Sequence, residues 1–246
     1  MSALIRFNTQ TQRLPGVALM KGIADWMSGS MRLNGGNIDF DDYAPYNSAV
    51  IEQDPSEVTI DSAEQFGVIK VFEGNAANEV ATIQRTIYHT PEDSNLLVIG
   101  GRIKVVSDAD SPQLFVGFSD TAVNAVFSSS ALAVSSNQDM LGLFWNANET
   151  VDIVANVDGT LTTLVDDIGA SIERTDGFIQ FGLRVEKISA TEYRLVPVIN
   201  NRTYTSIKVA NTAIPYNVAM KPTFSLNVDD TTDVDYRADW TVSAED

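Results

Sequence analysis

Leu114-Phe115-Val116-Gly117-Phe118-Ser119-Asp120, then Met140-Leu141-Gly142-Leu143-Phe144-Trp145, then Val151 to Val165 (VDIVANVDGTLTTLV) are the pieces of this chain that decide its fold. Each is a short apolar run rich in β-branched and aromatic residues, ended by polar or turn-forming residues. The last one contains Asp158-Gly159 between two strand-like halves. A type I′ turn needs positive φ at both central residues, and Asp and Gly tolerate that best, so this is a hairpin. A two-residue loop sets Val157 opposite Thr160, Ala155 opposite Thr162 and Ile153 opposite Leu164, which keeps one face largely apolar.

Outward from this block the same signals recur. Ala81, Ile83, Arg85 and Ile87 alternate with Thr82, Gln84, Thr86 and Tyr88, giving a strand with one face more polar than the other. Leu96 to Val106 is longer, and Gly100-Gly101 in its middle suggests a bulge or bend. Ile179, Phe181, Leu183 and Val185 share one face of a further strand. Pro197 marks Tyr193 to Ile199 as an edge or a bulged strand, because proline donates no ladder hydrogen bond. Asn200-Asn201 is a turn from which Arg202 to Val209 returns. Phe224, Leu226 and Val228 form another apolar face, and Tyr236, Ala238, Trp240 and Val242 line one side of a closing strand that belongs inside the sheet. No stretch after Ile38 reads as a long helix, and no repeat of about 40 residues suggests a propeller. The expectation is an all-β, two-sheet antiparallel jelly-roll sandwich.

The first 37 residues differ. Pro15, Gly16, Gly22, Gly29, Gly35 and Gly36 interrupt short apolar pieces, and Leu19, Met20, Ile23, Trp26, Met27 and Met31 concentrate large apolar side chains there. Two readings stand: an irregular arm folded back onto the domain, or an arm that docks on a neighbouring protein. The organisation expected is therefore residues 1–37 as an N-terminal arm and 38–246 as the sandwich.

With 16 basic and 33 acidic residues the net charge is -17, which repels phosphate-rich partners and argues against nucleic acid. Cysteine is absent, so disulfides and thiolate chemistry are excluded. No apolar run approaches the roughly 20 residues that span a bilayer. The N-terminus lacks the apolar core of a secretory signal, so synthesis in a cytoplasm is expected.

The order of motifs resembles a known family. The Leu-Phe-Val-Gly-Phe-Ser-Asp-Thr strand and turn, Leu-Gly-Leu-Phe, the Asp-Gly hairpin, Phe-Gly-Leu-Arg-Val, Val-Ile-Asn-Asn, Pro-Thr-Phe-Ser-Leu and the closing Asp-Tyr-Arg-Ala-Asp-Trp-Thr-Val are similar to the concanavalin A-like (laminin G-like) jelly-roll domains of tailed-bacteriophage structural proteins. The resemblance covers residues 96 to 246. It implies a non-enzymatic virion protein, a capsid decoration or head-associated protein that docks on the major capsid protein or on a sister subunit. The arm, through Leu19, Met20, Ile23, Trp26, Met27 and Met31, would be its anchor.

Catalysis is not expected. The nearest pair of acids, Glu149 and Asp152, is spaced by three and points to opposite faces of a strand. His89, the only histidine, reads as a solvated turn residue. No cofactor-binding motif is present. Asp229, Asp230, Asp233 and Asp235 crowd one loop and are weak candidates for Ca²⁺. The rival reading is a glycan-binding, lectin-like module of a fibre or adhesin, with Trp145 and Tyr216 as aromatic platforms.

Overall fold

The computed structural model describes residues 37–39, 49–52, 59–60, 69–74, 79–85, 87–106, 113–120, 127–128, 131–132, 138–146, 148–173, 177–228 and 234–245, with side chains described over 82–84, 87–104, 113–120, 138–146, 148–173 and 177–227. In chain order the strands are β1 (Asn37–Asp39), β2 (Ala49–Glu52), β3 (Thr59–Ile60), β4 (Ile69–Gly74), β5 (Glu79–Arg85) and β6 (Leu96–Val106). Then come β7 (Gln113–Ser119), β8 (Phe127–Ser128), β9 (Ala131–Leu132), β10 (Met140–Trp145), β11 (Val151–Val157) and β12 (Thr160–Val165). The last six are β13 (Ile179–Lys187), β14 (Glu192–Ile199), β15 (Arg202–Thr203), β16 (Ile207–Ala210), β17 (Lys221–Val228) and β18 (Val234–Glu245).

They form two large antiparallel sheets, as expected from the alternation. One has the order β15-β14-β13-β6-β18-β4-β3, with β1 also paired to β18 and β16 to β14. The other runs β12-β11-β10-β7-β17-β5-β2, and β8 and β9 make a small hairpin of their own. Consecutive strands often lie in different sheets, so the core closes through non-local contacts.

Period-two alternation explains the core. Leu114, Val116 and Phe118 of β7, Leu141, Leu143 and Trp145 of β10 and Val151, Ile153 and Ala155 of β11 face Ile179, Phe181, Leu183 and Val185 of β13 across the sandwich. The Trp145 and Phe181 rings meet between the layers at 5.9 Å. The opposite residues of the seven-stranded sheet form a second, separate cluster of Phe115, Met140 and Val154.

The hairpin is confirmed: Asp158 and Gly159 have φ of 49° and 81°, and Val157 lies opposite Thr160 and Ala155 opposite Thr162. The third expected pair is corrected, because Ile153 lies opposite Val165 and the extra residue on β12 is Leu164. Asn200 and Asn201 turn with φ of 48° and 65°. Pro197 falls between the partners of β14 on its outer side, since β15 covers Val198 and Ile199 and β16 covers Glu192 to Leu195.

Two further expectations are corrected. Against β13, β6 passes Gly100-Gly101 without a register shift, Gly100 lying opposite Gly182, while against β18 the register shifts one residue on, between Arg102 and Ile103. The irregularity sits instead in β18, between Ala238 and Trp240. It leaves Ala238 opposite Ile103 and Trp240 opposite Arg102, so the two-residue register expected along this stretch is broken. β18 is nonetheless internal, between β6 and β4.

Candidate functional site

On the face of the seven-stranded sheet turned away from the nine-stranded one, three neighbouring strands carry polar side chains in register. Thr82 and Gln84 of β5 stand opposite Ser225 and Thr223 of β17. Thr82 Oγ1 and Ser225 Oγ share a hydrogen bond of 2.7 Å, and Gln84 Nε2 donates to Thr223 Oγ1 at 3.2 Å. All four are buried. A buried hydroxyl or amide must find a partner, and cross-strand register supplies one for each. β7, next to β17, contributes Ser119, and β11, beyond β10, contributes Asn156, both also buried. Phe115 lies over Gly117 and Gly142, which face each other across β7 and β10. A Cβ built on Gly142 would sit 2.7 Å from the Phe115 ring and 2.8 Å from Gly117 Cα, so both glycines are required by close approach.

At one end of this sheet the polar ladder opens to solvent. His89 and Met220 exchange two backbone hydrogen bonds of 2.8 and 2.9 Å. This bridge places Tyr88 beside Lys221, the first residue of β17. Lys221 Nζ lies 5.0 Å from the Tyr88 ring centroid and donates to Gln84 Oε1 at 3.4 Å. Tyr88 is 55% exposed, the most exposed of the large hydrophobic side chains described. Lys221 stands opposite Ser119, and Ser119 stands opposite Met140, which brings Asp120 and Asp139 next along the rim.

The two acids are fixed by the backbone. Asp139 N–H donates to Asp120 Oδ1 at 2.8 Å, and Asp120 N–H donates to the Asp139 carbonyl at 3.1 Å. Asp158 N–H donates to Asp139 Oδ1 at 3.1 Å, tying the hairpin turn into the same rim. Burial pushes the Asp120 carboxyl above its ordinary value; the Asp139 N–H pulls it back and the Asp139 carboxylate raises it again. Along this rim, over four strand spacings or about 19 Å, Tyr88 offers an exposed aromatic plate, the Lys221 ammonium and the Asp120 carboxyl are half-buried, Asp139 is buried and holds the turn, and Asp158 is exposed.

Trp145 and His89 are corrections. Trp145 is 1% exposed and lies in the core against Phe181, so its ring is not offered to a sugar. His89 is 1% exposed, bridged to Met220 and edge-on to Phe118 at 5.9 Å, not a solvated turn residue. Tyr216 is half-buried against the core. Glu149 sits in the turn before β11 with φ of 63°, while the Asp152 carboxylate accepts Asp167 N–H at 2.9 Å and Asn146 Nδ2 at 3.0 Å. They make no shared site.

Leu19, Met20, Ile23, Trp26, Met27, Met31, Asp229, Asp230 and Asp233 lie outside the described residues. Asp235 is paired in β18 opposite Glu73 and Val106. Among the described residues no group of three or more His, Cys, Asp or Glu is placed to hold a metal. The sequence reading missed Tyr88, Lys221, Asp120 and Asp139. Its signal was there in part, since Tyr88 shares its alternation with Thr82 and Gln84.

No family model matches the chain, and no curated protein matches it. Solved structures do. The Emp47p carbohydrate recognition domain superposes with a TM-score of 0.63 at 8% identity, covering 89% of this chain and 98% of that one. The exoplasmic/lumenal domain of VIP36, in its Ca²⁺/Man3GlcNAc-bound form, gives 0.58 at 7% identity over 87% and 90%. Arcelin-5, a lectin-like defense protein from Phaseolus vulgaris, gives 0.56 at 10% identity over 85% and 97%. Likeness at such low identity establishes architecture alone: the chain has a concanavalin A-like jelly-roll fold.

Proposed function

We propose that the protein is a lectin-like module that binds a glycan, without turnover, at the rim formed by Tyr88, Lys221 and Asp120, with the buried Asp139 holding Asp158 behind them. The observation that carries this reading is the rim itself. An exposed ring supplies an apolar plate for the C–H face of a pyranose. The half-buried Asp120 carboxylate accepts from a sugar hydroxyl, and the Lys221 ammonium donates. The Asp120 and Asp139 carboxylates accept backbone N–H groups that hold the strand ends in place, which suits a preorganised binding surface. The VIP36 structure that carries Man3GlcNAc lends support by analogy of fold.

A glycan array probed with the full chain tests it. The expected result is a sugar signal that falls at least tenfold in Tyr88→Ala while the melting temperature is unchanged. A chain that binds no sugar, or a Tyr88→Ala variant that binds as well as the parent, contradicts the assignment.

The capsid-decoration role expected from the sequence resemblance is a separate proposal, resting on Leu19, Met20, Ile23, Trp26, Met27 and Met31. The three compared structures lend it no support, being carbohydrate-recognition or lectin-like domains. Deleting residues 1–36 tests it. An anchoring arm predicts loss of the protein from purified particles, and full retention removes the proposal.

A further inference from the structure

β12 ends the seven-stranded sheet, and among the described residues nothing pairs with its side away from β11. Thr160, Leu161, Thr162 and Thr163 are all exposed. In a two-residue hairpin the residues flanking the turn exchange hydrogen bonds, so Thr160 and Thr162 bond inward to β11 while Leu161 and Thr163 turn their N–H and C=O groups outward. Edge strands are usually blunted by a charge, a proline or a bulge. Here the six residues Thr160–Val165 carry no charge and no proline, and the bulge at Leu164 lies beyond the exposed stretch. What bounds the edge is acid at both ends: Asp158 on one side, Asp166 and Asp167 on the other, all exposed.

That charge pattern selects the partner. Two β12 strands paired antiparallel about Thr162 and Thr163 would set Asp158 opposite Asp167 twice, and like charges directly opposite are destabilising. An extended segment with a neutral centre and a cation at each end matches instead. The chain carries such a sequence, Arg6-Phe7-Asn8-Thr9-Gln10-Thr11-Gln12-Arg13, with six uncharged residues between two arginines. At about 3.3 Å per residue the arginines are roughly 23 Å apart when extended, against roughly 20 Å for the extended run from Thr160 to Asp166, with Asp158 just beyond it in the turn. We propose that β12 is a docking edge that accepts residues 6–13 of a second copy as an added strand. Main-chain hydrogen bonds to Leu161 and Thr163 hold it, and the flanking aspartates set its register. It does not rest on sugar binding at the rim, with which it shares Asp158.

The test uses the full chain carrying Arg6→Glu and Arg13→Glu, so that its own segment does not compete, and a labelled synthetic peptide of residues 6–13. The peptide binds in low salt, and replacing both of its arginines by glutamate weakens binding at least tenfold. N-methylation of the peptide backbone at alternate residues abolishes binding while leaving the protein untouched, and Thr163→Pro in the protein abolishes it too. Proline there removes only an outward N–H, so the β11 ladder is kept. The parent chain also self-associates in analytical ultracentrifugation where the Arg6→Glu/Arg13→Glu chain stays monomeric. Absence of peptide binding, binding indifferent to the arginines, or binding that survives backbone methylation overturns the proposal.

Discussion

Gly142 shows at the scale of one residue how little freedom the seven-stranded sheet has. A methyl group there meets the Val116 carbonyl at 2.7 Å and Gly117 Cα at 2.8 Å, both backbone atoms that cannot step aside. Gly142→Ala is expected to cost about 2 kcal/mol through overpacking, read as a lower urea midpoint at unchanged slope. Asp120 makes a different prediction. Its folded carboxyl, raised first by burial, holds its proton more tightly than in the unfolded chain. Between the unfolded and folded values the folded state binds more protons, so stability falls as pH rises through that window. Asp120→Asn keeps an acceptor for Asp139 N–H and has nothing to titrate. Relative to the parent it should gain stability as pH is raised from 3.5 toward 7, and an offset that is the same at every pH would refute this. Trp145 was legible and misread: it shares parity with Leu141 and Leu143, which places it in the core. His89 was not legible, since its backbone partner is Met220, remote in sequence.

Among the elements, β5 and β17 offer the cleanest measurement. Thr82 and Ser225 satisfy each other's hydroxyls at 2.7 Å inside the protein. Removing one, by Thr82→Val or Ser225→Ala, strands the other and should cost about 1–3 kcal/mol, whereas the double variant should cost less than the sum. A double-mutant cycle in urea reads the coupling directly, and strict additivity would mean that the bond contributes nothing. The same scale shows where sequence periodicity stops. Alternation identified β11, β12, β13 and β18, because a strand with one face on the core repeats every two residues. It could not announce the extra residue at Leu164 or the irregularity between Ala238 and Trp240, because one inserted residue exchanges the faces while leaving the composition of the run unchanged. Gly100-Gly101 misled for the related reason that a glycine pair is compatible with a bend and with a straight strand in close packing.

For the molecule as a whole, the sandwich follows from residues that each strand presents to the core, and the candidate site follows from the way four separate chain regions meet at one sheet end. Tyr88, Asp120, Asp139 and Lys221 are brought together by the His89–Met220 bridge and by the pairing of Ser119 with both Lys221 and Met140. No local pattern records that meeting, which is why the fold could be read from the chain while the rim could not. The docking edge at β12 belongs to this scale as well, on the opposite flank of the sheet from β2. Sugar binding at the rim is read from the backbone amide resonances of the full chain during titration with an oligosaccharide selected on the array. Saturable shifts are expected at Tyr88, Asp120, Asp139 and Gly159 and none along β13 or β14. Shifts confined to the nine-stranded sheet, or none at any residue, would contradict it.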